Sequence, residues 1–331
     1  LLKLREVSSI GIIFRKAKKK TASIDIREAF SLWDILNSYY VLSGKLLRYK
    51  AFVQAADLKM ILELLHKEAA DDIAVLQQVM GEYNIISPNK YKIAVTGTEG
   101  VEFLDDETIA TEVLLFSQEH LELLLFALYG MATNDRLRKK LHKMFISKLG
   151  GVNKLMKYFS LRGFAGVPPA YQHVPAGNNE KIHCGEAGGL WDLLTYRYDT
   201  LRFTQTTASM VHDKEFKIII SAGIKLLEKQ IKVLEDELMY FGIQMPKRPA
   251  DVTAEFIKKE LLEDSHIFRM TFLGMQGAAA LHVRAFKRFS INHRLRGIVS
   301  EILLQEIEKI DDFIRYGKAK GWLYSVPKYG P

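Results

Sequence analysis

The chain has 331 residues, 48% of them hydrophobic and 26% charged, a balance that suits two globular units of ordinary size and excludes a disordered chain. The longest nearly pure apolar run, Leu123 to Ala132, is about ten residues, half the roughly 20 needed to cross a bilayer, so no membrane span is expected. The net charge of +8 is local. Residues 1–20 carry Lys3, Arg5, Arg15, Lys16, Lys18, Lys19 and Lys20 against Glu6, which is +6, and leave about +2 for the rest. This is a basic arm that suits a weak anionic partner or simple solvation, without a base-reading motif. It does not read as a signal peptide, because its basic cluster follows the apolar stretch. The lone Cys184 excludes an internal disulfide, has no partner for a zinc-ligand set, and fits a reducing compartment such as the cytoplasm.

In chain order, the first strong element follows this arm. Helix A opens at Asp25 with Glu28 as a capping box, and Phe30, Trp33, Leu36, Tyr40 and Leu47 mark its expected core face. Helix B starts at Asp57 and shows Leu58, Leu62, Leu65, Ala69, Asp72, Leu76, Met80 and Tyr83 on one face. A connection from Asn84 to Asp105 follows, with Pro88, Gly97 and Gly100 and no helical stripe. Helix C begins at Asp105-Asp106-Glu107, acids suited to a helix N-terminus, with the face Ile109, Val113, Phe116, His120, Leu123 and Ala127. Helix D follows Asn134 with Leu137, Leu141, Phe145, Lys148, Val152 and Leu155, and Gly163 before Pro168-Pro169 stops it. Four long amphipathic helices imply a four-helix bundle. The short A–B and C–D links with a long B–C crossover imply up-down-down-up order, the ferritin-like arrangement.

The pattern then returns. Glu28-Ala29-Phe30-Ser31-Leu32-Trp33-Asp34 is matched by Glu186-Ala187-Gly188-Gly189-Leu190-Trp191-Asp192, 158 residues later and identical at five of seven positions. The same offset, without gaps, takes Tyr40 to Tyr198, Pro88 to Pro246, Asn134 to Asn292, Arg138 to Arg296, Gly163 to Gly321 and Pro169 to Pro327. A tandem duplication is the direct reading. It divides the chain into the arm (1–20), a first bundle (21–163), a Pro/Gly/Asn-rich linker (164–184) and a second bundle (185–331), an all-α architecture whose two repeats pack on each other.

A ferritin-like bundle invites a test for metal. A di-iron site takes a Glu from each of two helices and Glu-x-x-His from each of the other two. The helix B pairs are Ala69…Asp72 and Leu227…Gln230, and the helix D pairs are Phe145…Lys148 and Leu303…Glu306. The Glu positions are apolar and none of the His positions holds His, so neither a metal nor another cofactor is expected. What remains is a set of polar residues at mid-helix core positions: Asp72, His120 and Lys148 beside Trp33 and Tyr40, with Gln230, Glu306, Trp191 and Tyr198 as the second-repeat equivalents. The expected pairings are an Asp72–Lys148 ion pair near His120 and a Gln230–Glu306 hydrogen bond, since burying such groups alone is costly. Three roles stay open: a polar layer that sets helix register, a small-molecule pocket in the first bundle, and catalysis, for which no nucleophile–base–orienter set is visible. His66 and His142 fall off the core stripes and are expected to be exposed. Gly274 and Gly277 give helix C of the second repeat a small-sided face that allows either close packing or a gap.

The helix A opening Glu28-x-x-x-Leu32-Trp33, the run Asn84-Ile85-Ile86-Ser87-Pro88, and the helix D end Leu161-Arg162-Gly163-Phe164 with its copy Gly321-Trp322-Leu323 carry a resemblance. They resemble a family of ferritin-like domains of unknown function from spore-forming Firmicutes, distantly similar to spore coat protein F. The resemblance implies a tandem pair, association with sporulation or the spore coat, and no established reaction. It suits a structural or interaction protein with homo-oligomeric or coat-protein partners. The residues common to both copies build the fold, so a function particular to this chain is expected where the copies differ.

Overall fold

A computed structural model describes residues 23–90, 104–166, 168–249 and 263–330. The basic arm and the middle of both long connections lie outside these residues. Eight helices are described: α1 (Ile26–Phe52), α2 (Ala56–Glu82), α3 (Asp106–Gly130), α4 (Asp135–Arg162), α5 (Cys184–Ala208), α6 (Lys214–Tyr240), α7 (Asp264–Arg288) and α8 (His293–Lys320). The fold is all-α, with no strand among the described residues beyond two isolated bridges.

The helix starts follow from their caps. Asp25 and Glu28 form the reciprocal capping box, Asp105 accepts from Thr108 N, and Asn134 accepts from Leu137 N. Asp57 differs from its expected role: α2 begins one residue before it, and no side chain caps that end. Gly163 and Gly321 close α4 and α8 in the left-handed region (φ 70° and 71°), where glycine meets no Cβ penalty.

Side-chain pairs set the directions. Along α1, Glu28, Ser38 and Tyr49 meet Thr133, His120 and Glu112, so α1 and α3 run antiparallel. Tyr39 and Tyr40 meet Asp72 and Gln77 while Lys50 meets Glu63, so α1 and α2 are antiparallel as well. Hence α2 and α3 run the same way, the order that the long connection between them predicts. The second set of helices repeats this with Tyr198–Glu235 and Glu186–Ile291.

Glu28 explains why the opening block recurs. Its buried carboxylate accepts from Asp25 N (3.1 Å), Thr133 N (2.9 Å) and Asn134 N (2.7 Å), tying the start of α1 to the turn before α4. Glu186 does the same with His183 N, Ile291 N and Asn292 N. Burial raises the Glu28 pKa above the usual carboxylate value.

The two sets of helices meet through α3 against α7 and α4 against α8, each helix facing its equivalent. The buried Arg138 guanidinium donates from Nε to Asp311 Oδ1 (2.6 Å), and at the equivalent positions Arg296 Nε donates to Asn153 Oδ1 (2.8 Å). This is the reciprocity of a two-fold interface, realised within one chain. The terminal segments interlock in the same sense. Residues after α8 pair with residues before α1 (Asp25 with Lys328), and residues after α4 pair with residues before α5 (Ala170 with His183). By length and composition α3 could cross a membrane, but half of its apolar window is buried inside the protein, as befits a core helix.

Candidate functional site

At mid-height each bundle carries a layer of buried polar side chains at matched positions, and the two layers are wired differently. In the first, the Tyr39 hydroxyl donates to Asp72 Oδ2. Lys148, 3% exposed, places its ammonium 5.5 Å over the Tyr39 ring. His120 packs edge-on to the same ring at 4.1 Å, and its Nδ1 lies 2.8 Å from Ser38 Oγ. The expected Asp72–Lys148 ion pair is replaced by this arrangement. The two charges still act on one another, yet Tyr39 takes the carboxylate. Burial lowers the Lys148 pKa to about 8, and burial with Lys148 nearby holds His120 well below the ordinary histidine value. His120 is therefore neutral at pH 7, and its Nε2 is buried without a partner.

In the second layer Arg197 occupies the position of Tyr39, Gln230 that of Asp72, and Glu306 that of Lys148. Arg197, 1% exposed, donates from one terminal nitrogen to Glu306 Oε2 at 2.6 Å. The same nitrogen lies 3.3 Å from His282 Nε2. His282 Nδ1 is 2.6 Å from the Ala278 carbonyl, which can only accept, so Nδ1 carries the proton and Nε2 accepts from Arg197. Gln230 Nε2 donates to Gln305 Oε1 (3.0 Å), so the expected Gln230–Glu306 hydrogen bond is absent. Arg197 Nε and Gln230 Oε1 remain buried without partners. Sequence reasoning missed Arg197 and His282. The signal for Arg197 was its offset from Tyr39, a swap of ring for cation at one core position.

The aromatic candidates divide. Tyr40 and Tyr198 are buried, their hydroxyls paired with Gln77 and Glu235. Trp33 and Trp191, expected in the core, lie on the surface at 37% and 42% exposure, with Phe30 stacked on Trp33. The core face of α1 is instead Leu32, Ile35, Leu36, Tyr39, Leu42 and Leu46, one step around the helix. His66 and His142 are half-buried. Among the described residues no three His, Cys, Asp or Glu side chains lie close enough to hold a metal.

The differing wiring comes with a difference in packing. A cavity of about 220 Å³ opens beside the second layer, lined from all four helices α5–α8. Arg197, Gln230 and Glu306 stand at one end of its wall, and Phe313 and Tyr316 belong to the aromatic cluster at the other. That cluster gathers Phe216, Phe268, Phe313, Tyr316 and Trp322, and it forms a core separate from the main one. Gly317 permits it, since a Cβ there would collide with the Phe268 ring. Lys309 and Arg315 lie at the exposed rim.

The space follows from the residues. At Thr200, Thr204, Gly223, Thr271 and Gly274 of the lining, the first bundle has Leu42, Leu46, Leu65, Val113 and Phe116. A Cβ added at Gly223 or Gly274 meets nothing within 4 Å. The small-sided face expected around Gly274 thus borders a gap, while Gly277 serves close packing, its Cα facing the Tyr196 hydroxyl. The threonines add little polarity. Thr200, Thr204 and Thr271 hydroxyls bond the carbonyls of Tyr196, Thr200 and Ile267 in their own helices. This pocket lies in the second bundle; the small-molecule candidate read from the sequence lies in the first.

No protein-family model and no curated protein matches the chain. Among solved structures, a "putative spore coat protein" of Bacillus halodurans C-125 is similar at TM-score 0.43 and 18% identity, covering 46% of this chain and 98% of that one.

Proposed function

We propose that the chain is a non-enzymatic binding protein, in which the first bundle is a solid scaffold and the second holds one small organic molecule. The observation that carries this reading is the cavity of about 220 Å³, mostly apolar, with the buried side chains of Arg197, Gln230 and Glu306 in its lining. Mostly apolar hollows with a few convergent polar groups are the usual form of a small-molecule site. In the first layer Ser38 Oγ lies 2.8 Å from His120 Nδ1, but the other nitrogen of that ring has no group to orient it, so the pair is not a nucleophile–base–orienter set and binding is favoured over catalysis. Metal is disfavoured on donor chemistry, because cationic Lys148 and Arg197 occupy the layers where acidic and imidazole ligands would converge. Xenon pressurisation of crystals of the full chain tests the reading, since apolar cavities take up xenon. Xenon density in the second bundle and none at the equivalent place in the first is expected. A dry, unoccupied second bundle would overturn it. Stoichiometric iron, manganese or zinc in purified protein would overturn the metal-free part.

A second reading is a structural or interaction protein of sporulating bacteria, built from tandem ferritin-like domains and associated with the spore or its coat. Support for it comes from the motif resemblance around Glu28–Trp33 and Gly163, and from the exposed Phe30–Trp33 pair as a contact for coat-protein partners or a further copy. Replacing both aromatics by serine should weaken incorporation into coat extracts without unfolding the protein. Unchanged incorporation would count against this reading.

A further inference from the structure

The differences between the two bundles converge on one side of the second. In the first bundle Leu65 of α2 seats its side chain on Gly151 of α4, where an added Cβ would lie 3.3 Å from Leu65 Cδ2. The equivalent pair in the second bundle is Gly223 and Lys309. A Cβ at Gly223 meets nothing within 4 Å among the described residues. Helix α5 packs on α6 and α7, and α7 packs on α8, so the open side lies between α6 and α8. Exposed Ala222 stands on its α6 lip, and exposed Lys309 and Asp312 on its α8 lip. The cavity is a mostly apolar slot with a lateral mouth.

Its shape limits what can enter. The lining extends from Arg197 to Thr204 along α5 and from Glu306 to Tyr316 along α8. At about 1.5 Å per residue these spans are about 10 and 15 Å. A volume of about 220 Å³ over that length leaves a mean width of about 4–5 Å. An equant hole of about 150 Å³, enough for benzene, is about 6.5 Å across. The slot is narrow for a ring and suits a single chain. Zigzag C–C bonds of about 1.5 Å advance about 1.25 Å per carbon, so about eight to twelve carbons fill it.

Charge at the mouth selects the end group. Inside, Arg197 and Glu306 balance one another at 2.6 Å. Of the described lining residues at the mouth, Asp312 is acidic while Lys309 and Arg315 are cationic. Asp312 meets Arg315 at 2.7 Å and Lys309 Nζ at 3.3 Å. Asp311 pairs with Arg315 as well, and with buried Arg138 at 2.6 Å. Lys309 is left with one long, exposed contact, of a kind that contributes little. Resting on the binding reading above, we infer that the second bundle takes a straight aliphatic carboxylate of about eight to twelve carbons. Its tail lies in the slot, and its carboxylate stays in water at the mouth beside Lys309.

Titration calorimetry of the full chain at low salt, below micelle-forming concentrations, tests this with even-numbered carboxylates from hexanoate to tetradecanoate. Decanol, decyltrimethylammonium and toluene are the comparisons. Each buried methylene should tighten binding about three- to fourfold, hence about tenfold per step from hexanoate to decanoate. Tetradecanoate should stay within about threefold of dodecanoate, because the slot is then full. Decanoate should bind about threefold or more tightly than decanol, with decyltrimethylammonium the weakest of the three. Lys309→Gln should remove that preference and leave decanol unchanged. Gly223→Leu, which installs the residue of the first bundle, should abolish binding throughout. Should it fail to fold, Gly274→Phe closes the slot instead. A series independent of length, or one still steepening at tetradecanoate, overturns the chain assignment, and decanol equal to decanoate overturns the carboxylate. If toluene binds better than decanoate and Gly223→Leu removes it, the chain falls while the cavity reading stands. Xenon uptake without binding of any decyl compound has the same meaning. If nothing binds and xenon is absent too, both fall.

Discussion

Gly223→Leu tests whether the space in the second bundle is real, because it installs the residue that fills the equivalent place in the first. Gly223 lies within α6 and a Cβ there meets nothing within 4 Å, so the substitution starts without a clash. Replacing a mid-helix glycine by leucine gains about 0.8 kcal/mol in helix propensity. Full burial of the side chain would add about 1.5–3 kcal/mol, and a half-buried site gives roughly half of that. Restricting the leucine rotamers returns about 0.5–1 kcal/mol. The net expectation is a gain of about 0.5–2 kcal/mol. The reciprocal change, Leu65→Gly, removes a side chain that is 3% exposed and adds the glycine cost, for a loss of about 3–6 kcal/mol. Urea denaturation of the full chain, with midpoints compared at unchanged slope, measures both. If Gly223→Leu destabilises by more than about 1 kcal/mol, the hollow is closed in solution and the binding reading loses its ground.

Other expectations follow from the same contacts. Folded Lys148 gives up its proton near pH 8, while the unfolded residue holds it to about 10.5. Between those values the unfolded state binds more protons, so raising the pH favours the fold through this residue. The effect approaches about 3 kcal/mol, and Lys148→Met should remove it and be the more stable protein at pH 7; an unchanged difference in stability between variant and parent from pH 7 to 10 would contradict this. His120 and His282 are both held neutral by burial, so the unfolded state takes up protons first as pH falls below about 6.5, and stability should drop there. His282→Gln should blunt that drop in pH-dependent denaturation. Glu186→Ala strips the acceptor from three backbone N–H groups and should cost about 3–5 kcal/mol by urea denaturation. Asn153→Asp gives buried Arg296 the carboxylate that Arg138 already has in Asp311, and Arg296 is held down to about 10 by burial. A gain of about 1–2 kcal/mol is expected, lost in the Arg296→Met background.

Much of the architecture was legible without coordinates because it is written in local or repeated signals. Asp25 with Glu28, Asp105, Asn134 and Gly163 act on their own helix ends, so their meaning does not depend on what packs against them. The gap-free offset carried the equivalence of Glu28 with Glu186 directly, although not the reason for it. The reason is a bond to backbone groups more than 100 residues away. Trp33 shows where periodicity misleads. A stripe through Phe30 and Trp33 and a stripe through Leu32, Ile35 and Tyr39 are neighbouring choices on one helix, and an indole is amphipathic enough to lie on either side.

By itself, then, the amino-acid sequence determined the all-α class, the helices and their order, because caps and helical periods are properties of contiguous residues. Only the tertiary structure decided which face of α1 is buried, that Tyr39 rather than Lys148 takes Asp72, and that Arg197 pairs with Glu306. It alone placed the cavity. Five individually mild changes on three helices, leucine to threonine or glycine, valine to threonine and phenylalanine to glycine, subtract volume from one point in space. A void is a sum over side chains that meet only when the helices are packed.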